Sequence, residues 1–110
     1  MLTIETQQEN GHDIMLLKGE VDASNSVILD EAITKLVDDG TRSILVDGTG
    51  LEYISSAGLG VFMSYLEDFQ ENEIDLKIYS LSDRVFEVFK ILGLDQLMRI
   101  YPDKKTALLS

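Results

Sequence analysis

The chain has 110 residues, of which 20 are Asp or Glu and 9 are Lys or Arg, so its formal net charge is −11. Against a typical size of about 150 residues per domain, this predicts one domain over residues 1–110, long enough to bury a core without staples. The acidity, with Lys104-Lys105 as the one adjacent basic pair, argues against DNA, RNA or an anionic membrane as main ligand.

The alternation of Leu2, Ile4 and Thr6 predicts a first strand. After the turn-like Glu9-Asn10-Gly11, Ile14-Met15-Leu16-Leu17 predicts a buried strand ending near Gly19. From Ser24 to Asp39, the pairs Ile28/Leu29, Ala32/Ile33 and Leu36/Val37 follow helical spacing, and Gly40 supplies the stop. Ser43 to Asp47 is a short apolar run suited to a central strand, with a polar turn expected at Gly48-Thr49-Gly50. A second helix follows Ser55-Ser56, with Leu59, Phe62, Met63, Leu66 and Phe69 on one stripe. Leu76 to Tyr79 predicts a further strand. Ser82 then opens a third helix, with Val85, Val88, Phe89 and Leu92 facing inward and Gly93 closing it. Leu94, Leu97 and Ile100 suit a helical turn or an edge strand, and Lys104 to Leu109 a terminal helix. Strands alternating with helices predict an α/β layer structure, the first two strands antiparallel and the later ones parallel.

The chain has no cysteine and one histidine, His12. A disulfide framework, a thiolate metal site, a cysteine nucleophile and a three-histidine zinc site are therefore excluded within it. No metal and no cofactor is expected. The start, Met1-Leu2-Thr3-Ile4-Glu5, has neither the basic region nor the apolar run of a signal peptide. No stretch approaches the ~18 apolar residues of a membrane span, so a cytoplasmic location is expected.

Ile54-Ser55-Ser56-Ala57-Gly58-Leu59-Gly60-Val61 carries the most chemical information. Two serines stand at a loop-to-helix junction, where backbone N–H groups lack intrahelical partners. One of them can serve simply as the N-cap, worth about 1 kcal/mol. Two glycines in the first turns cost up to about 1 kcal/mol each relative to alanine. They point to close approach by another backbone, a ligand or a partner. A helix start with serine hydroxyls also suits a phosphate. The spacing is not that of a Walker-type loop, nor of a Gly-x-Ser-x-Gly elbow. His12, expected on a solvated turn, is the one imidazole that could serve a serine nucleophile.

The segment resembles the signature of the STAS family, in particular the stand-alone bacterial anti-sigma factor antagonists. Their usual run is Asp-Ser, a small residue, then Gly-Leu-Gly-Val. Gly19-Glu20-Val21-Asp22, Asp47 and Phe89-Lys90-Ile91-Leu92-Gly93-Leu94-Asp95 resemble further blocks of the family, so the likeness spans essentially the whole chain. It implies a mixed central sheet with helices packed mainly on one face, and a regulatory binding protein rather than an enzyme. Aligned on Gly58-Leu59-Gly60, the family's phosphoacceptor falls on Ser56, with Ser55 as the alternative because it stands where aspartate is usual. The implied function is that of an anti-sigma factor antagonist. The unphosphorylated form binds an anti-sigma factor serine kinase and frees the sigma factor, phosphorylation of Ser56 ends the interaction, and a serine phosphatase restores it. The partner face would comprise Asp22, Ser55, Ser56, Ala57, Gly58, Leu59 and Gly60. The alternative is a constitutive STAS scaffold in a signalling or transport complex, without phosphorylation. Asp22 also suits a helix cap, Asp47 a turn, and Glu67, Asp68, Glu71, Glu73 and Asp75 a solvated face.

Overall fold

In the computed structural model, which describes residues 1–110, strands β1 (Leu2–Glu9) and β2 (His12–Val21) form an antiparallel hairpin. Asn10 and Gly11, at φ +49° and +84°, make the two-residue turn, the left-handed geometry that Asn-Gly adopts at least cost. Helix α1 (Ser26–Asp38) leads to β3 (Ser43–Ile54), α2 (Ser56–Glu71) to β4 (Asp75–Tyr79), and α3 (Asp83–Ile91) with a 3₁₀ turn to β5 (Arg99–Tyr101). Each of these connections returns to a parallel neighbour, so the sheet order is β1-β2-β3-β4-β5 with only the first pair antiparallel. The expected strand directions are those observed. The region expected as a helical turn or an edge strand contains both.

The main core lies between the sheet and the first three helices. Met15, Leu17, Ile44, Val46 and Ile78 meet Leu29 and Ile33 of α1, Leu59, Phe62 and Phe69 of α2, and Val85 and Phe89 of α3. Each such side chain, fully buried, is worth about 1.5–3 kcal/mol. The opposite face carries only α4 (Lys104–Leu109), whose Ala107 packs on Ile14, Leu45 and Tyr79. The buried Lys77 holds that helix down, donating from Nζ to the carbonyls of Ala107 at 3.0 Å and Ser110 at 2.9 Å. A cation at those carbonyls satisfies acceptors that a helix end leaves free. No helix is long and apolar enough to cross a membrane.

Five local expectations are corrected. β3 runs through Gly48-Thr49-Gly50 without turning, because the parallel ladder continues from Lys18 opposite Gly50 to Val21 opposite Ile54. Both glycines there answer to crowding. A Cβ on Gly50 would lie 2.9 Å from Lys18 Cγ and 3.0 Å from the Leu17 carbonyl, and one on Gly48 2.5 Å from Leu81. Asp47 is consequently a strand residue: its Oδ1 accepts the Thr49 N–H at 2.9 Å, and Tyr79 donates to Oδ2 at 3.5 Å. Met63 and Leu92, expected inward, are 47% and 52% exposed, because the α2 stripe turns through Tyr65 instead and Leu92 lies past the last turn of α3. His12 is half-buried, its Nδ1 hydrogen-bonded to Ser43 Oγ at 2.7 Å, because it opens β2 beside the start of β3.

Lys77→Ala is expected to cost about 2 kcal/mol and to loosen α4 selectively, read by denaturant unfolding together with amide exchange at Ala107. Burial, reinforced by the carboxylate of Asp47, pushes the Tyr79 phenol up to about 12. A raised folded-state value adds stability below the unfolded value near 10, and that stability is lost as pH rises toward 12. Absorbance titration of the tyrosines should show this phenol ionising last, together with alkaline destabilisation.

Candidate functional site

The C-terminal ends of β2 and β3 are locked together, and this brings two loops to one place. The Ser55 N–H donates to the Val21 carbonyl at 2.8 Å, so the chain leaves β3 for α2 directly beside the residue preceding Asp22. Ser55 has extended backbone, φ −86° and ψ 172°, and is the N-cap of α2, its Oγ accepting the Gly58 N–H at 3.3 Å. Its carbonyl accepts the first helical hydrogen bond, from Leu59 N–H at 3.0 Å. Ser56 is the first helical residue, and its side chain is exposed. The two hydroxyls thus divide the work: Ser55 caps, and Ser56 faces solvent at the positive end of the helix dipole.

Asp22 shapes the turn that leads into α1. Its Oδ1 accepts from Ser24 N–H at 2.9 Å, Ser24 Oγ at 2.5 Å and Asn25 N–H at 3.2 Å, leaving Oδ2 free. The hydrogen bonds from Ser24 hold this carboxyl below the usual carboxylate range, so it stays charged at neutral pH. Asn25, not Asp22, occupies the cap position of α1, and it makes no side-chain cap there.

The two glycines of the motif have different environments. Gly58 is buried, and a Cβ there would lie 2.6 Å from Val21 Cγ1 and 2.8 Å from Ile54 Cγ1. The close approach that this glycine implies is internal, between α2 and the ends of β2 and β3. Leu59 is 1% exposed and belongs wholly to the core. Gly58 and Leu59, expected on the partner face, therefore have no side-chain surface to offer there. Gly60 is exposed with nothing within 4 Å of its would-be Cβ, so no packing within the chain explains it.

Two apolar side chains that the motif does not include stand exposed near this start of α2. Val27 is exposed on α1 and lines, with Ala57, Gly60 and Val61, a groove of about 400 Å³ between the two helices. Met63 falls seven residues after Ser56 and three after Gly60, on the same face of α2. Tyr53 is also exposed, but it alternates with the buried Ile54 beneath α2, so its side chain lies on the other face of the sheet. Tyr65 fixes the helix pair, donating to Asp30 Oδ1 at 2.6 Å and meeting Thr34 Oγ1 at 2.6 Å. Val27 had a readable signal in that it lies off the apolar stripe of its helix.

The remaining candidates lie elsewhere. Asp47 pairs with Tyr79 on the α4 side of the sheet. His12 opens β2, whereas Ser55 is bonded at its far end, about 30 Å away along ten residues. No imidazole can therefore serve either serine as a base. Glu67, Asp68, Glu71, Glu73 and Asp75 are all exposed, Asp75 pairing with Arg99 at 3.3 Å.

Residues 3–107 match the STAS domain family profile. The anti-sigma-B factor antagonist of Staphylococcus aureus (strain NCTC 8325 / PS 47) is 35% identical over 99 residues, covering 90% of this chain and 92% of that protein. Among solved structures, an anti-sigma factor antagonist from Mycobacterium paratuberculosis superposes with TM-score 0.90 at 22% identity, over 99% of this chain and 92% of that one. The anti-sigma factor antagonist SpoIIAA in its unphosphorylated form gives TM-score 0.79 at 18% identity, over 96% and 93% of the two chains. SpoIIAA of Bacillus in the phosphorylated form gives 0.69 at 17%, over 98% and 96%. The chain belongs to the STAS domain family.

The glycine environments give opposite expectations for one substitution. Gly58→Ala should destabilise by about 1–3 kcal/mol through overpacking, less the helix propensity gained. Gly60→Ala should stabilise by about 0.5–1 kcal/mol, because a methyl group there meets only solvent. Thermal unfolding of the two variants, with Tm moving down in one and up in the other, checks the assignment.

Proposed function

We propose that this STAS-domain protein is an anti-sigma factor antagonist whose unphosphorylated form binds an anti-sigma factor serine kinase in the cytoplasm and so frees a sigma factor. The observation that carries the residue assignment is the division between the two serines. The Ser55 hydroxyl is engaged as the α2 cap, and the Ser56 hydroxyl stands exposed beside it. Serine in place of the family's usual aspartate at 55 supports the same reading, since either side chain accepts an N-cap hydrogen bond.

In the reaction the Ser56 Oγ attacks the γ-phosphorus of ATP held by the kinase. The new O–P bond forms as the bond to the β–γ bridging oxygen breaks, ADP departs, and the hydroxyl proton passes to a base on the kinase. A serine phosphatase hydrolyses the ester to restore the hydroxyl and release inorganic phosphate. The chain itself contributes presentation. Ser56 and Ala57 precede the first helical hydrogen bond, so their N–H groups and the helix dipole accommodate the dianion without disturbing the core. Asp22, Ser55, Ala57 and Gly60, with Val27 and Met63 as apolar anchors, form the face against which the partner packs. A charge of about −1.5 to −2 placed within that face opposes docking by desolvation and repulsion.

Incubation with the cognate kinase and ATP should add one phosphate by intact mass. It should persist in Ser55→Ala and vanish in Ser56→Ala. Retention in Ser56→Ala would overturn the residue assignment, and no phosphate on the unaltered chain would favour a constitutive scaffold. Ser56→Asp should weaken kinase binding about tenfold or more with little change in Tm, and Gly60→Ala should weaken it while raising Tm.

A further inference from the structure

The sheet has two edges, and they are finished differently. β5 is three residues long, whereas β1 presents eight residues with an unbroken register and no proline, lysine or bulge. Long, regular edge strands are normally blunted by such devices, because their free N–H and C=O groups accept another strand. The hairpin identifies which groups are free. In a two-residue hairpin the closing pair, Glu9 and His12, is hydrogen-bonded, and the alternation then gives Gln7, Glu5 and Thr3 to β2. The hydrogen bond from Glu20 N–H to the Met1 carbonyl at 3.2 Å continues the same phase. Ile4, Thr6 and Gln8 therefore direct their backbone N–H and C=O groups away from the sheet.

A groove of about 1050 Å³ lies between this edge and α1. Ile4 and Thr6 line it from the strand and Ile28 and Leu36 from the helix, with Lys35, Asp39 and Arg42 adding two cations and one carboxylate to an otherwise mixed lining. An edge strand flanked by a helix is the geometry in which an extended peptide adds as a further strand, with alternate side chains entering the groove. The side chains of β1 on the other face are Glu5, Gln7 and Glu9. Glu5 and Glu9 each touch one lysine, at 3.6 Å from Lys18 and 2.7 Å from Lys104, and both remain about half exposed. An incoming strand would thus present apolar residues to α1 and basic residues to the glutamates. The net charge of −11 on each copy opposes self-pairing and favours a basic guest.

We propose that the β1 edge and the α1 groove form a second docking site, which takes an extended segment of a partner protein with alternating apolar and basic residues. The site runs along β1 and α1, shares no lining residue with the groove beside Ser56, and is independent of the phosphorylation proposal.

The probe is the peptide Lys-Val-Lys-Val-Lys-Val-Lys, with Glu-Val-Glu-Val-Glu-Val-Glu as its control. With the basic peptide, amide exchange measured by NMR should slow at least tenfold at Ile4, Thr6 and Gln8. Glu5 and Gln7, already bonded to β2, should change little. Thr6→Pro removes one outward N–H that the fold does not use, and it should abolish this protection while leaving the circular dichroism spectrum intact. Ser56→Asp should leave peptide binding unchanged, so failure here and failure at Ser56 are read separately. Absence of protection at millimolar peptide, equal protection by the acidic peptide, or binding retained in Thr6→Pro would overturn the proposal. So would concentration-dependent protection of the same amides without peptide, which would make a second copy of the chain the occupant.

Discussion

The pairing of β2 with β3 past Gly50, ending in the hydrogen bond from Ser55 to Val21, is the constraint on which the site depends. Were β3 to end at Asp47, the serine loop would leave the sheet seven residues earlier and lie nowhere near the end of β2. The extension is possible because two glycines let neighbouring chains close in: Gly50 under Lys18, and Gly19, at φ +98°, under Met1. At Gly19 any Cβ would collide with the Met1 carbonyl oxygen, so the bulge that carries β2 on to Val21 needs glycine on both steric and conformational grounds. Backbone permissiveness in the middle of the sheet thus fixes the position of a hydroxyl at its rim.

The same constraint explains why one motif mixes two kinds of residue. Gly58 and Leu59 seat α2 on Val21 and Ile54, so their identity is a packing requirement. Ser55 closes the helix start. Ser56 and Gly60 remain, one turn apart and facing out, with no task inside the chain. A sequence motif is contiguous, but a helix sends neighbouring residues in different directions, so only part of it can touch a partner. Residues outside the motif, Val27 and Met63, stand exposed beside them, α1 being held alongside α2 by the hydrogen bonds of Tyr65.

Element types and strand directions were legible because periodicity and turn residues report local geometry. What failed was longer in range. Gly48-Thr49-Gly50 has the composition of a turn, and only the neighbouring Lys18 and Leu81 reveal that its glycines are there to be crowded. Met63 fits the helical stripe by count, yet it stays exposed, and Tyr65 takes the inward place by bonding across to Asp30. His12 read as solvated because Ser43, its partner, is 31 residues away. The serine pair was legible as a helix start, but which hydroxyl caps was not. That depends on the backbone of residue 55 being extended where it leaves the ladder.

Charge at the proposed switch follows the same logic of position. Adding about −1.5 to −2 to a chain at −11 alters its long-range field modestly, and at physiological ionic strength that field is screened beyond about 8 Å. A phosphate at Ser56 would act within this distance, where the helix start receives it on one side and a docked partner would have to desolvate it on the other. The intramolecular cost is small because the dipole and the free N–H groups of the first turn are already oriented toward an anion. The intermolecular cost would be large because Asp22, with its carboxyl kept ionised by Ser24, already places one negative charge beside the same helix start. The fold and the proposed interface would thus experience one charge with opposite consequences, which would let binding be switched while the folded state stays as it is.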